Sequence, residues 1–388
     1  MNVKRLNQQI HTFKNILGQY NFEVPLARFL TSYFRRNRQM GSKDRKVASR
    51  LIYNYFRLGI ALPELTLETR LAISEFLCTS SSDFVKLLEP ALHASIEESI
   101  ENKVLILENL YRFAPQQCFP LSEKISIRID KSSFLLSHFQ QRDLFIRLRP
   151  KTEGLVVAAL EKNNIEFSKL GQVTLKLQNG SQLDKIKEIA GRYEVQDLSS
   201  QRVIDFLNPQ DGESWWDACA ASGGKSLLLN ELNPTIQLLV SDLRGSILRN
   251  LDERFDNAGI RIYRKKIIDL TKDTTHILGN EKFDGVIVDA PCSGSGTWGR
   301  SPEQMSPFTA EKLNYYYQLQ RDILDNIVSH VKIGKSLVYI TCSVYTEENE
   351  NQIEYLTKKG FRVEKANYLE GSSQGADTLF AALLTRLT

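Results

Sequence analysis

An abrupt change of residue type constrains this chain more than any other feature. The apolar residues 286–288 give way at once to Asp289, and a proline, Cys292 and two glycines follow. β-Branched residues that end this way predict a buried strand of a parallel sheet, and open α/β sheets bind ligands at the carboxyl ends of their strands. A second apolar run, residues 336–340, is followed in the same way by Cys342. The sequence therefore predicts two neighbouring strands with one cysteine each at the same edge of the sheet.

Strands and helices alternate from residue 214 onward, which is typical of a parallel sheet with helices on both faces. Residues 315–331 carry apolar side chains at helical spacing and predict a crossover helix. The fold class predicted for this region is α/β and Rossmann-like. Seven strands are predicted, at residues 214–217, 236–241, 261–265, 283–288, 336–340, 361–365 and 379–384.

At 388 residues the chain is longer than one hydrophobic core usually serves, so we expect several domains. Residues 1–121 show helical spacing with few glycines or prolines and predict an all-α bundle. The closely spaced prolines of residues 114–120 indicate a linker. Residues 122–195 predict a small α+β module, and residues 196–388 contain the large sheet.

The small module is predicted to have strands at residues 124–129, 144–150 and 173–177 and a helix at 155–162. Modules of this kind often pack strands against helices to clamp RNA. An insert with no binding role is an equally open interpretation.

Positive charge is concentrated near the N-terminus. Residues 1–60 carry twelve Lys or Arg against two acids, in a chain whose net charge is only +4. Lys46, Arg50 and Arg57 fall on one side of a predicted helix, which favours contacts with RNA phosphates. A basic helix face that is merely solvated is the alternative.

The cysteines and the hydropathy of the chain predict its redox state and cellular location. The five cysteines are odd in number and form no CxxC pair, so we expect free thiols rather than disulfides or a metal site. The first residues lack the apolar core of a signal peptide, and no apolar run approaches the roughly 18 residues of a membrane span. We therefore expect a cytoplasmic protein, and a monomer, with no membrane partner.

A glycine turn follows the first strand of the large sheet. Its small residues would let the backbone approach a ligand closely, and the following helix N-terminus favours a carboxylate. Asp242, about twenty residues later, is where an acid binds ribose hydroxyls, and Asp269 would reach an adenine edge. Together they favour an adenosine-containing cofactor, although Asp242 alone is also explained as a helix cap. The turn comprises Cys219, Ala220, Ala221, Ser222, Gly223, Gly224 and Lys225.

The two cysteines at strand ends suit chemistry on cytosine. Carbon-5 of cytosine is too weak a nucleophile to accept a methyl group unaided, but addition of a thiolate at carbon-6 activates it. A carboxyl group such as Asp289 would stabilise the charge that develops in the base. The target base must be turned out of its stack to be reached.

These motifs resemble those of the Sun family (Fmu or RsmB-type, related to NSUN) of S-adenosylmethionine-dependent RNA cytosine carbon-5 methyltransferases. The resemblance runs from about Gln196 to the C-terminus and includes the sequences DACAASGGK, DAPCSGSG, TCS and ENE. It implies a class I methyltransferase fold, S-adenosylmethionine as cofactor, Cys342 as the nucleophile and Cys292 as an aid to product release. It also implies that Lys225 and Asp289 orient the base and that Asp242, Asp269, Asp289 and residues 219–225 contact the cofactor.

The chain departs from the family at three places. Ser222 replaces a proline in the glycine turn, residues 377–380 match an Asp-Gly-Phe-Phe motif only loosely, and Lys335 replaces a glycine. The turn keeps a small residue and no reacting group is lost.

Upstream, residues 43–53 resemble the NusB-like RNA-binding domain of RsmB-type members, and residues 122–195 lie where an RRM-like module is found. Small-subunit ribosomal RNA is the first substrate that this layout implies, and transfer RNA the second. The rival hypothesis is a non-catalytic RNA-binding or ribosome assembly factor, which would need neither thiol.

Overall fold

The computed structural model describes residues 2–388, and the chain divides into two compact units. The first contains the residues up to Gln141 together with Thr297–Ala310. The second contains Arg142–Gly296 and Glu311–Thr388. The small sheet and the large sheet share this second unit, while the threefold division of the chain stays a prediction.

The first unit is all-helical, as predicted. Several of its helices begin where a side chain caps a free backbone N–H group: the Oγ1 atom of Thr66 accepts from the Thr69 N–H, and the Oγ of Ser99 accepts from the Asn102 N–H. Phe13 of the first helix and Leu51 of the third are fully buried in the shared core. The helices are α1 (Val3–Gln19), α2 (Leu26–Arg36), α3 (Ser42–Arg57), α4 (Leu67–Cys78), α5 (Asp83–Leu88), α6 (Pro90–His93), α7 (Ile100–Tyr111) and α8 (Lys131–Leu136).

Two expectations for the segment after α7 are wrong. The predicted linker is folded, because Pro115–Cys118 form a 3-10 turn and Phe119 is buried against Phe134, with 5.4 Å between ring centroids. The predicted strand at residues 124–129 does not form. Its alternation was misleading, since Ile127 is fully exposed and neither sheet includes a strand from this segment.

The small module is a four-stranded antiparallel sheet in the order β2-β3-β1-β4. Val156 and Leu160 of its helix pack on Ile146 and Leu175 of the sheet. Two of the three predicted strands are confirmed, and two short strands were missed. The elements are β1 (Leu144–Leu148), α9 (Glu153–Lys162), β2 (Phe167–Lys169), β3 (Thr174–Leu177) and β4 (Tyr193–Val195).

The large sheet has seven strands in the order β10-β11-β9-β8-β5-β6-β7, and every predicted strand has its counterpart. Strand β11 runs antiparallel to both neighbours, and the five strands from β9 to β7 are mutually parallel. Its elements are β5 (Ser214–Asp217), β6 (Gln237–Asp242), β7 (Arg264–Ile267), β8 (Phe283–Asp289), β9 (Val331–Thr341), β10 (Phe361–Glu370) and β11 (Thr378–Arg386). The remaining helices are α10 (Leu198–Gln201), α11 (Gly224–Leu232), α12 (Gly245–Ala258), α13 (Thr275–Leu278), α14 (Ala310–Ile327) and α15 (Glu350–Lys358).

Strand β8 is the buried centre of this sheet. Val286 and Val288 face the core cluster that contains Leu324 of α14, whereas Ile287 faces the cluster that contains Leu228 of α11. Helices therefore cover both faces, as the continuous apolar run predicts. The parallel pairing of β5, β6, β8 and β9 brings their carboxyl ends to one edge of the sheet, where the polar motifs follow.

Candidate active site

The glycine turn connects β5 to α11 with an unusual backbone. Ala221 (φ 47°) and Gly223 (φ 85°) both adopt left-handed conformations, of which the first is uncommon for a residue with a Cβ. The Ala221 N–H donates to Oδ2 of Asp242 at 3.1 Å, so the end of β6 holds the turn. The turn leads into the N-terminus of α11 at Gly224, which favours a negatively charged group.

Two predicted cofactor acids lie in different settings. Asp242 is buried at the end of β6 and also accepts hydrogen bonds from the N–H (2.9 Å) and Nε (3.0 Å) of Arg244. Asp269 follows β7, and the partners of its carboxylate come from its own loop. It accepts a hydrogen bond from the Thr271 N–H at 3.1 Å and forms an ion pair with Lys272 at 3.1 Å. The Thr271 hydroxyl and Lys272 lower the pKa of Asp269.

Asp217, at the end of β5, was not singled out from the sequence. It is 1% exposed, and its Oδ2 accepts from the Ser226 hydroxyl at 2.6 Å, while its Oδ1 has no hydrogen-bond partner. Burial raises its pKa to about 7, against the lowering effect of that hydroxyl. A buried carboxylate oxygen without a partner beside the glycine turn fits the cationic groups of a cofactor such as S-adenosylmethionine. Its position as the last residue of the strand was the available sequence signal.

Lys225 and Asp289 form an ion pair with 2.7 Å between Nζ and Oδ2. They come from different elements, the first turn of α11 and the end of β8, and their joint role in orienting the target base stays a prediction. Burial would lower the pKa of Lys225, but the charge of Asp289 and the hydrogen bond to it outweigh burial, and the pKa is raised. The lysine is therefore a fixed cation in the site.

The two strand-end cysteines meet. The Sγ atoms of Cys292 and Cys342 lie 3.3 Å apart, which is hydrogen-bonding distance for sulfur. The hydrogen bond with Cys342, burial and the charge of Glu348 all raise the pKa of Cys292 well above its ordinary value. Cys292 therefore keeps its proton at neutral pH. All five cysteines are free thiols.

A buried carboxylate connects the two cysteine loops. Glu348 accepts hydrogen bonds from the Ser293 N–H (2.8 Å) and hydroxyl, from the Ser343 hydroxyl and from Nε2 of Gln320 (3.1 Å). Ser293 and Ser343 each follow one of the two cysteines, so a single carboxylate fixes both loops. Burial raises the pKa of Glu348, while these hydrogen bonds lower it in part. Glu348 lies in the ENE segment of the family resemblance, but the sequence did not predict a role for it.

Gly296 closes this edge of the sheet. Its N–H donates to the Cys342 carbonyl at 2.9 Å, and a Cβ at this position would lie 1.9 Å from the Thr378 carbonyl oxygen. Only glycine allows β11 to approach the cysteine loop so closely. The loosely matched segment at residues 377–380 thus still packs against the site.

The three residues predicted to contact RNA do not share one exposed face. Lys46 and Arg50 are exposed, and Arg50 pairs with Glu75 at 3.0 Å. Arg57 is 1% exposed and donates to the His138 carbonyl, so its predicted position on the basic surface was wrong. Helix α3 directs Arg57 toward the core, where burial lowers the pKa of its guanidinium. None of the helices among residues 2–388 is long and apolar enough to span a membrane.

Part of the chain is similar in sequence to known proteins. Residues 204–381 match a family described as 16S rRNA methyltransferase RsmB/F. The ribosomal RNA small subunit methyltransferase B of Enterobacter sp. (strain 638) is 36% identical over 165 residues, which cover 42% of this chain and 38% of that protein. The protein of the same name from Xylella fastidiosa (strain 9a5c) is 38% identical over 165 residues, 42% of this chain and 39% of that protein. The chain spans about two fifths of the length of these curated relatives.

Solved structures confirm the predicted fold class. The crystal structure of PH0851 aligns over 97% of both chains with a TM-score of 0.73 and 23% identity. NSun6 from Pyrococcus horikoshii, solved with SFG, aligns over 67% of this chain and 94% of its own with a TM-score of 0.60 and 15% identity. The NusB-like and RRM-like assignments stay predictions. In its sequence match and its sheet, the part of the chain from residue 204 to residue 381 is similar to the RsmB/F family of methyltransferases.

Proposed function

We propose that this chain methylates carbon-5 of a cytosine in RNA, with Cys342 as the nucleophile. One observation carries the proposal: two thiols lie 3.3 Å apart at the edge of the sheet that also forms the glycine turn. S-Adenosylmethionine, the cofactor of this family, supplies the methyl group when bound. Residues 219–225 with Asp217 and Asp242 would hold it, and Asp269 and Asp289 would complete its site.

Cys342 starts the reaction in this proposal. Its thiolate forms a bond to carbon-6 of the cytosine, and the electron pair of the ring double bond moves to carbon-5. Carbon-5 gains the methyl group and then loses its proton to a base. The returning electron pair restores the double bond, and the bond between Sγ and carbon-6 breaks.

Cys292 assists this last step. Because its raised pKa keeps it protonated, its S–H can donate a hydrogen bond to the departing sulfur 3.3 Å away. A hydrogen bond to the thiolate makes it a better leaving group. The role that the family resemblance implies for Cys292 thus has a physical basis in this arrangement.

Lys225 and Asp289 hold the base. The Asp289 side chain keeps 27% of its surface exposed although it is paired with Lys225, which leaves carboxylate surface for a substrate. A carboxylate fixed by a neighbouring cation accepts hydrogen bonds from the amino edge of cytosine in a defined direction. The ion pair would therefore set the orientation of the ring relative to the two sulfurs.

Ribosomal RNA of the small subunit is the proposed substrate. The family description and the names of both relatives refer to this RNA, and such a substrate suits the predicted cytoplasmic location. Transfer RNA is the second candidate. A non-catalytic assembly factor is disfavoured because a binding protein would not need paired thiols held by a buried carboxylate.

The test is methyl transfer from labelled S-adenosylmethionine to small-subunit ribosomal RNA, with transfer RNA assayed in parallel. We expect label in 5-methylcytosine of the ribosomal RNA, and none with Cys342→Ala. Cys78→Ala, which removes a thiol of the helical unit, is the matched control and should retain activity. Methylation that persists in Cys342→Ala would remove Cys342 from the mechanism, and label on another atom or base would refute the cytosine assignment.

A further inference from the structure

The glycine turn is held from outside by one arginine of α12. Nη1 of Arg254 donates to the Ser222 carbonyl at 3.2 Å and to the Ser222 hydroxyl at 2.9 Å. Ser222 lies between Ala221 and Gly223, the two residues with left-handed backbones. Because such a backbone is not the preferred state of Ala221, the shape of the turn depends on contacts of this kind.

Helix α12 is packed tightly against the same turn. A Cβ on Gly223 would lie 2.9 Å from atoms of both Leu251 and Phe255. Leu251 lies three positions before Arg254 and four before Phe255, so it neighbours both of them on the helix surface. The apolar contact fixes how far the helix is from the turn, and Arg254 supplies the polar contact.

Arg254 is itself held by the small module. Oε2 of Glu194, in β4, accepts from Nη2 of Arg254 at 2.7 Å and from its Nε at 3.1 Å. The Glu194 side chain is 8% exposed, and its other oxygen accepts from Arg149 at the end of β1. Two bonds from one planar guanidinium to a carboxylate fix its orientation, which a lysine would not reproduce.

We infer that Glu194 and Arg254 are positioning residues for the cofactor. They form a bracket from the small antiparallel sheet to the Ser222 carbonyl, which keeps the turn in the shape that binds S-adenosylmethionine. This inference rests on the proposed function, and it gives the small module a role whether or not the module contacts RNA.

The test is the affinity of the full-length protein for S-adenosylmethionine, measured by calorimetric titration, together with kcat and KM. Loss of charged hydrogen bonds to the turn in Arg254→Gln should raise the Kd and the KM by about tenfold, with kcat at saturating cofactor changed by less than about twofold. The Kd of Arg254→Lys for S-adenosylmethionine should lie between the values of Arg254→Gln and wild type. Arg249→Gln, at an exposed position of the same helix, should bind as wild type does.

A Kd unchanged in Arg254→Gln would overturn the inference. If Arg254→Gln does not fold, as judged by circular dichroism, Glu194→Gln and Ser222→Ala replace it. Ser222→Ala removes only the hydroxyl contact and should raise the Kd by about threefold; an unchanged Kd there would likewise overturn the bracket. Wild-type protein that fails to bind S-adenosylmethionine would refute the proposed function instead, so the two failures are distinguishable.

Discussion

The sulfur atoms of Cys292 and Cys342 lie 3.3 Å apart although the residues are 50 positions apart in the chain. The distance follows from parallel pairing, since β8 and β9 are neighbours with Ile287 opposite Val338. The loops that follow the two strands therefore start side by side. Glu348 then holds both loops through Ser293 and Ser343. In the proposed mechanism only one of the two thiols attacks the base, so the two thiols are expected to have different roles.

Cys292→Ala should trap the covalent protein–RNA complex. Without the S–H beside it, the sulfur of Cys342 leaves carbon-6 more slowly, and the adduct accumulates. The measurement is a slowly migrating band on a denaturing gel after incubation with RNA and S-adenosylmethionine. The double variant Cys292→Ala/Cys342→Ala is the matched control and should show no such band.

Two results would contradict this prediction. An adduct in the double variant would mean that another residue attacks the RNA. A Cys292→Ala protein that turns over normally and shows no adduct would mean that Cys292 has no part in product release.

Glu348→Gln should weaken both the fold and the reaction. The amide presents two N–H donors to hydroxyls that now donate to a carboxylate, and the buried network loses its charge-assisted hydrogen bonds. We expect a loss of about 2 kcal/mol in the free energy of unfolding. We also expect a several-fold lower kcat, because the thiols of Cys292 and Cys342 would no longer be held in their relative positions. Denaturant titration and steady-state kinetics measure the two effects.

Glu354→Gln, at an exposed position of α15, is the control for Glu348→Gln. The ion pair between Glu354 and Lys358 is solvent-exposed, so its loss should leave the free energy of unfolding essentially unchanged. If Glu348→Gln behaves like Glu354→Gln, the carboxylate does not organise the cysteine loops.

The large sheet could be predicted because its central strands, such as β8, are buried on both faces. Short continuous apolar runs followed by glycines, such as residues 286–288, favour a buried strand, and each of the seven predicted strands has a counterpart. The segment at 124–129 alternates in the same manner as a strand, yet Ile127 is fully exposed. Alternation alone does not provide a partner strand, which is why this prediction failed.

The site residues that lie within local sequence motifs could be predicted. Cys292, Cys342, Lys225 and Asp289 each follow a strand or a turn with a recognisable pattern. Glu348 acts through contacts that depend on the packing of α14 and the two loops, and no local pattern carries that information. The burial of Arg57 is a similar case, since helical periodicity places it beside Lys46 but not relative to the core.

Lys46 and Arg57 should now respond differently to substitution. Lys43→Gln/Lys46→Gln, which changes two exposed cations at the start of α3, should reduce the slope of log K against log salt for RNA binding by about one unit per lost phosphate contact. Arg57→Gln should leave the slope unchanged. It should instead lower the free energy of unfolding by about 2 kcal/mol, because its buried contact with the His138 carbonyl is lost.

Binding assays at several salt concentrations and denaturant titrations distinguish these outcomes. A slope that is unchanged in the double lysine variant would mean that this part of α3 is only a solvated surface. A reduced slope in Arg57→Gln would restore that residue to the RNA-binding set.

Asp217 should make the stability of the protein depend on pH. Its pKa rises from 3.8 to about 7 on folding because it is buried, with Ser226, Asp289, Lys225 and Asp242 as the groups around it. Between pH 3.8 and about 7 the folded protein keeps a proton on Asp217 that the unfolded chain releases. The contribution of Asp217 to the free energy of unfolding is therefore fully present below pH 3.8 and is lost as the pH rises through about 7. Relative to Asp217→Asn, the wild-type protein should therefore lose on the order of 3 kcal/mol between about pH 4 and about pH 8. Denaturant titration across this range measures it, with the exposed Asp256→Asn as a control that should follow wild type. Parallel pH profiles of wild type and Asp217→Asn would show that the carboxyl group is already ionised in the folded protein at acid pH, and the account of its burial would be wrong.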